Sequence, residues 1–135
     1  MTVEQPMITA FITPFVEAKD EFVSWLLTQD YPSYESLLRK SLELIQGSDG
    51  LEYDNTPDPQ RIHTIDDGDY QGTLLFVVGA TGYQPSNYWL TAVDYGSCSG
   101  CDALERAWGY GNDRNMEGMY LIALHMVQGL RVVWE

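Results

Sequence analysis

Lysine and arginine are scarce in this chain. There are seven, against twenty aspartates and glutamates, for a formal net charge of −13 at pH 7. Proteins that grip a nucleic-acid backbone do so with cations, so direct binding of DNA or RNA is disfavoured. Cysteine and histidine number two each. A closed zinc site would have to use Cys98, Cys101, His63 and His125, at a spacing that fits no usual ligand pattern. No apolar run is long enough to cross a bilayer. The start, Met1-Thr-Val-Glu-Gln-Pro, lacks a basic region followed by an apolar one, so no export signal is expected and the cytoplasm is the expected compartment. Phosphate loops of the Gly-x-x-x-x-Gly-Lys type, Gly-x-Ser-x-Gly and His-Glu-x-x-His are absent, as are repeats and low-complexity tracts.

What is present suits a single folded domain, 1–135. A chain of 135 residues buries roughly two-thirds of its unfolded surface. Four Trp, nine Tyr and four Phe, within a 44% hydrophobic composition, supply a core and argue against disorder. The acidic surplus has two readings. It keeps the protein soluble, or it presents an acidic surface to a basic protein as a nucleic-acid mimic would.

Thr13-Pro14 reads as a helix start, with Phe15, Ala18, Phe22, Trp25 and Leu26 at helical spacing, which predicts a helix over 14–28 after an arm or short strand at 1–12. Ser33 caps a second helix whose apolar face is Tyr34, Leu37, Leu38, Leu42 and Ile45, stopping at Gly47. Residues 47–60 read as a loop. Strands follow at 61–65, 70–79 and 88–95, joined by turns at 66–69 and 81–87. A short helix is expected over 102–108 and a long one over 116–130, its apolar side broadened by Leu121, Leu124 and a buried His125. Residues 131–134 extend that helix or form a short strand. The fold class is therefore α+β: two N-terminal helices, a three-stranded antiparallel meander, and two C-terminal helices packed on one face.

The chemistry-bearing stretch is Ser97-Cys98-Ser99-Gly100-Cys101-Asp102, between a strand and a helix. Two thiols three apart at a helix start can form a redox pair or one edge of a metal site. Asp102 beside the second thiol opposes thiolate formation, and small thiols packed in a turn are the plainer alternative. Asp66, Asp67 and Asp69 lack EF-hand spacing and suit a turn equally well. In an antiparallel pair the start of strand 70–79 and the end of strand 88–95 share one sheet edge. Asp66, Asp67, Asp69, Tyr70, Gln71, Tyr95, Ser97, Cys98, Ser99, Cys101 and Asp102 are thus expected to frame one ligand-binding pocket, whose turn N–H groups could hold an anion.

Two stretches, Ile65-Asp-Asp-Gly-Asp-Tyr-Gln-Gly-Thr-Leu-Leu-Phe-Val and Asp94-Tyr-Gly-Ser-Cys-Ser-Gly-Cys-Asp-Ala-Leu, with the trailing Leu124-His-Met-Val-Gln, resemble a family of small uncharacterised phage and bacterial proteins. The resemblance implies a phage or mobile-element origin and a host-directed or counter-defence role played by binding. No cofactor and no catalytic residue comes with it. The expected function is a non-enzymatic binding protein, acting in the host cytoplasm, that holds a host protein or a small anionic ligand at the 66–73 and 95–102 edge. The alternatives are an acidic mimic that inhibits a DNA- or RNA-binding protein, and a Cys-x-x-Cys thiol redox or metal-binding protein.

Overall fold

Period-two alternation of apolar and polar residues in the second half of the chain builds one antiparallel sheet, and the helices cover one of its faces. The computed structural model describes residues 2–4, 8–30, 32–46, 56–68, 72–80, 87–96, 102–108 and 114–134. Along the chain lie β1 (Thr2–Glu4), α1 (Ile8–Glu17), α2 (Lys19–Leu26), α3 (Tyr34–Gln46), β2 (Pro57–Gly68), β3 (Gly72–Ala80), β4 (Asn87–Tyr95), α4 (Ala103–Trp108), α5 (Met116–Gln128) and β5 (Arg131–Trp134). The class is α+β. The expected meander β2-β3-β4 forms, and the chain ends extend it to five strands in the order β1-β5-β4-β3-β2. Residues 131–134 take the strand alternative, pairing with both β4 and β1.

Several boundaries differ from the sequence reading. Pro14 is not the first residue of a helix but lies inside α1, which starts at Ile8. The single helix expected over 14–28 is broken at Ala18, whose φ of −93° and ψ of 17° separate α1 from α2. Proline cannot donate to the carbonyl four residues back, so the helix carrying it is weakened and ends one turn later. Pro57 to Gln60, read as loop, belong to β2, and so do Asp66 to Gly68, read as turn. Two prolines are tolerated because β2 is an edge strand with an irregular register between Pro57 and Ile62.

The helix starts follow ordinary capping chemistry. Ser33 Oγ accepts from Ser36 N at 3.0 Å while Ser36 Oγ accepts from Ser33 N at 2.8 Å, a reciprocal cap for α3. Asn115 Oδ1 accepts from Gly118 N at 2.8 Å at the start of α5. α5 touches each of the other four helices, and α3 and α5 lie against β2 and β4. Its buried stripe is Met119, Tyr120, Ala123, Met126 and Val127. Of the broader stripe expected from the sequence, Leu124 is partly buried against the core, whereas Leu121 is 51% exposed and His125 is exposed.

Residues in register across β2, β3 and β4 point to the same face. Phe76, Val78, Trp89, Thr91 and Val132 point into the helices and are buried, joined there by Phe11, Phe15, Phe22, Leu37, Leu38 and Leu42. Phe15 stacks on Tyr120 at 5.4 Å between centroids, and Phe11 meets Trp89 edge-on at 5.9 Å. Burial raises the Tyr120 phenol above its ordinary pKa, against the opposing charge of Lys19. Trp89 Nε1 is buried and has no hydrogen-bond partner among the described residues. Thr91 Oγ1 donates to Met126 O at 2.7 Å, fixing β4 to the end of α5.

A polar tie joins α3 to β2. Thr64 Oγ1 donates to Glu35 Oε1 at 2.5 Å, and Arg39 Nη2 donates to Glu35 Oε2 at 2.9 Å. The Thr64 hydrogen bond, aided by Arg39, holds the Glu35 carboxyl below its ordinary pKa against the cost of desolvation. A depressed carboxylate stabilises the fold above its unfolded pKa and loses that contribution as pH falls through its folded value. The stability gap between wild type and Glu35→Gln should therefore be widest near neutrality and shrink below the ordinary glutamate range. Urea unfolding of both proteins across acid pH measures it.

Candidate functional site

The described part of the sequence-expected site lies at and beside one end of the sheet. Four of its residues are described: Asp66 and Asp67 near the end of β2, Tyr95 at the end of β4, and Asp102 just before α4. Asp69, Tyr70, Gln71, Ser97, Cys98, Ser99 and Cys101 lie outside the described residues.

Register explains how the strand ends meet. Gly68 faces Gly72 on β3, and Gly72 faces Tyr95 on β4, so two glycines stand beside one aromatic ring. With no side chains in the way, the Tyr95 ring can lean across β3, and its Oη donates to Asp66 Oδ1 at 2.5 Å. β2 and β4, which are not neighbours in the sheet, are thereby joined. Gly72 is confined as well: a Cβ there would stand 2.3 Å from Asp67 O. On the opposite face of the same end, Asp67 and Asp94 flank Thr73, whose Oγ1 donates to Asp94 Oδ1 at 2.8 Å.

Asp102 is turned inward. It is only 6% exposed. Its Oδ1 accepts from Tyr34 Oη at 2.7 Å and from Leu104 N at 3.0 Å, and its Oδ2 accepts from Gly96 N at 3.1 Å. Leu104 N also reaches Tyr34 Oη at 3.1 Å. Arg106 N donates to Asp102 O at 3.0 Å, the first bond of α4. One carboxylate thus caps α4, holds the residue that follows β4, and anchors the first turn of α3.

The expected convergence of the two strand ends is present: the structure brings Asp66 to Tyr95 and sets Asp67 near Asp94. Asp102 does not join them, because its oxygens are engaged by the fold's own donors. Tyr34 is the residue that sequence reasoning placed only on an apolar helix face. Its hydroxyl could have been suspected as a buried donor needing an acceptor, but nothing local pointed to an aspartate 68 positions away. The described residues on the last three rows of the meander are Gly68, Gly72 and Tyr95, then Asp67, Thr73 and Asp94, then Asp66 with the partly buried Leu74 and Val93. Among the described residues the polar groups at this end are carboxylates and hydroxyls with no cation, which suits a basic group better than an anion. Among the described residues no three His, Cys, Asp or Glu side chains are grouped closely enough to hold a metal ion. No helix there is long and apolar enough to cross a membrane.

Comparison of the chain with protein families, with curated proteins and with solved structures finds no match.

Two substitutions probe the geometry. Gly72→Ala forces Asp67 O aside and should cost about 1–3 kcal/mol, the usual penalty for overpacking. Tyr34→Phe removes a donor from a buried carboxylate and should cost about 2 kcal/mol. Chemical denaturation followed by circular dichroism reads both.

Proposed function

We propose that this chain is a non-enzymatic binding protein that meets a basic segment of a protein partner at the sheet end carrying Asp66 and Tyr95. The observation that carries the reading is the Tyr95–Asp66 hydrogen bond over the Gly68–Gly72 row. It ties the end of β2 to the end of β4 across β3, so a partner would find a pre-organised edge. Pre-organisation lowers the ordering cost of binding, and an exposed carboxylate supplies the charge that recognises lysine or arginine. Of the two occupants expected from the sequence, the protein partner is retained over the small anion, because the described side chains at this end would repel one. The resemblance to small phage and bacterial proteins supports a host-directed role in the cytoplasm. Neither the acidic-mimic reading nor the thiol redox and metal readings has a specific geometric observation in its favour.

The test is a titration of the isotopically labelled protein with an oligo-lysine peptide, followed by amide shifts. Shifts should concentrate at Asp66, Gly68, Gly72 and Tyr95. Tyr95→Phe, which releases Asp66 from its tie, should weaken binding by about threefold to tenfold, the scale of one polar contact. Shifts centred instead on the helical acids Glu17, Asp20 and Glu21 would mean that the peptide senses only net charge, and the proposal would be lost.

A further inference from the structure

The sheet has a second face that none of the described helices covers, although Val133 at one end of it is buried. Its residues are fixed by the same register: Asp67, Thr73 and Asp94 in one row, then Ile65, Leu75 and Ala92, then His63, Val77, Leu90 and Arg131, then Arg61, Gly79, Tyr88 and Val133. All five helices pack on the other side, so Leu75, Val77 and Leu90 are only partly buried and Ile65 is 45% exposed. An antiparallel sheet that faces water on one side usually carries polar residues there. This one carries a central apolar band.

Its charges are sorted along the strands. The acids Asp67 and Asp94 lie at one end of the band, and Arg61 and Arg131 lie toward the other. In a chain of net charge −13, this face holds two arginines, of which Arg61 already has Asp58 beside it. Arg61 lies across Gly79, donates to Ala80 O at 2.6 Å and pairs with Asp58 at 3.3 Å, keeping its side chain 39% exposed.

We infer that this face is occupied by a second copy of the chain, packed face to face about a two-fold axis that lies in the interface and runs across the strands. That rotation keeps each strand over its own counterpart and reverses its direction. Asp67 of one copy then meets the second copy's Arg61, and the contact occurs twice. Ile65 meets His63, Leu75 meets Val77, and Ala92 meets Leu90, so the apolar rows cover one another. Asp94 faces the second copy's Tyr88, a carboxylate opposite a phenol. A two-fold axis along the strands would instead lay the acidic end of one face over the acidic end of the other. The polarity of the face thus selects one self-complementary arrangement, and it is the aligned sheet packing expected for sandwiches. A foreign partner would need no such symmetry in the face. The inference uses the open face alone and stands apart from the Asp66–Tyr95 edge on the helix side of the sheet.

Sedimentation velocity of the intact chain over a concentration series tests it, with circular dichroism to confirm folding of each variant. The wild type should sediment as a dimer. Leu75→Arg and, independently, Val77→Glu place a charge in the apolar band and should give monomers. Asp67→Arg sets arginine against arginine and should weaken the dimer about tenfold or more. Adding Arg61→Asp to Asp67→Arg restores opposite charges with reversed polarity and should recover most of the loss. A wild-type monomer at about 100 μM, far above the concentration at which a specific dimer forms, would overturn the inference. So would a dimer indifferent to Leu75→Arg and Val77→Glu, or a double variant no tighter than Asp67→Arg.

Discussion

A buried carboxylate placed among three hydrogen-bond donors organises much of this molecule. Asp102 takes Tyr34 Oη from the start of α3, Gly96 N from the end of β4, and Leu104 N from the first turn of α4. A buried charge is tolerated only when its lone pairs are satisfied, and each donor must then hold its position. The N-terminal helices, the meander and the C-terminal helices are therefore located relative to one another by a single side chain as well as by the apolar core. The core is a layer of aromatics and leucines between the sheet and α5. It supplies most of the burial but little direction, whereas the Asp102 cluster and the Glu35–Thr64 pair supply direction.

The sequence made some of this legible because the signals were local. Alternation revealed the meander, Ser33 and its neighbours revealed the start of α3, and Gly72 and Tyr95 were assigned to strands that share an end, with Gly68 in the turn beside them. The misreadings have local causes too. Thr13-Pro14 has the composition of a helix start, and Phe11 and Phe15, one helical turn apart on a buried face, carried the contrary signal. Pro57 and Pro59 suggest a loop until β2 is recognised as an edge strand, where missing donors cost little. What stayed hidden was long-range: the Tyr34–Asp102 bond and the pairing of Thr2–Glu4 with Val132–Trp134. No periodicity encodes contacts of that separation. The candidate site was legible in outline, as two strand ends at one edge. Its cysteines lie outside the described residues, so their role is carried by no geometry.

Charge is distributed by face rather than by segment. Glu17, Asp20, Glu21, Glu43 and Glu117 are exposed on the helical layer, and Lys19 bridges α2 to α5 through Glu117 at 2.8 Å while lying over the Tyr120 ring at 4.8 Å. The outer sheet face carries its opposite charges at opposite ends of an apolar band. A surface so divided can be repelled from most acidic neighbours on one side and still be cohesive on the other.

The sheet order β1-β5-β4-β3-β2 places the first strand beside the last, with Thr2 opposite Trp134. The pairings β2–β3 and β3–β4 are local, each closed through a short connection, whereas β1 and β5 lie more than a hundred residues apart in the chain. Closing that loop costs more entropy than closing either hairpin. The outermost pairing of the sheet is therefore its most expensive in chain entropy, and the meander inside it is the cheapest.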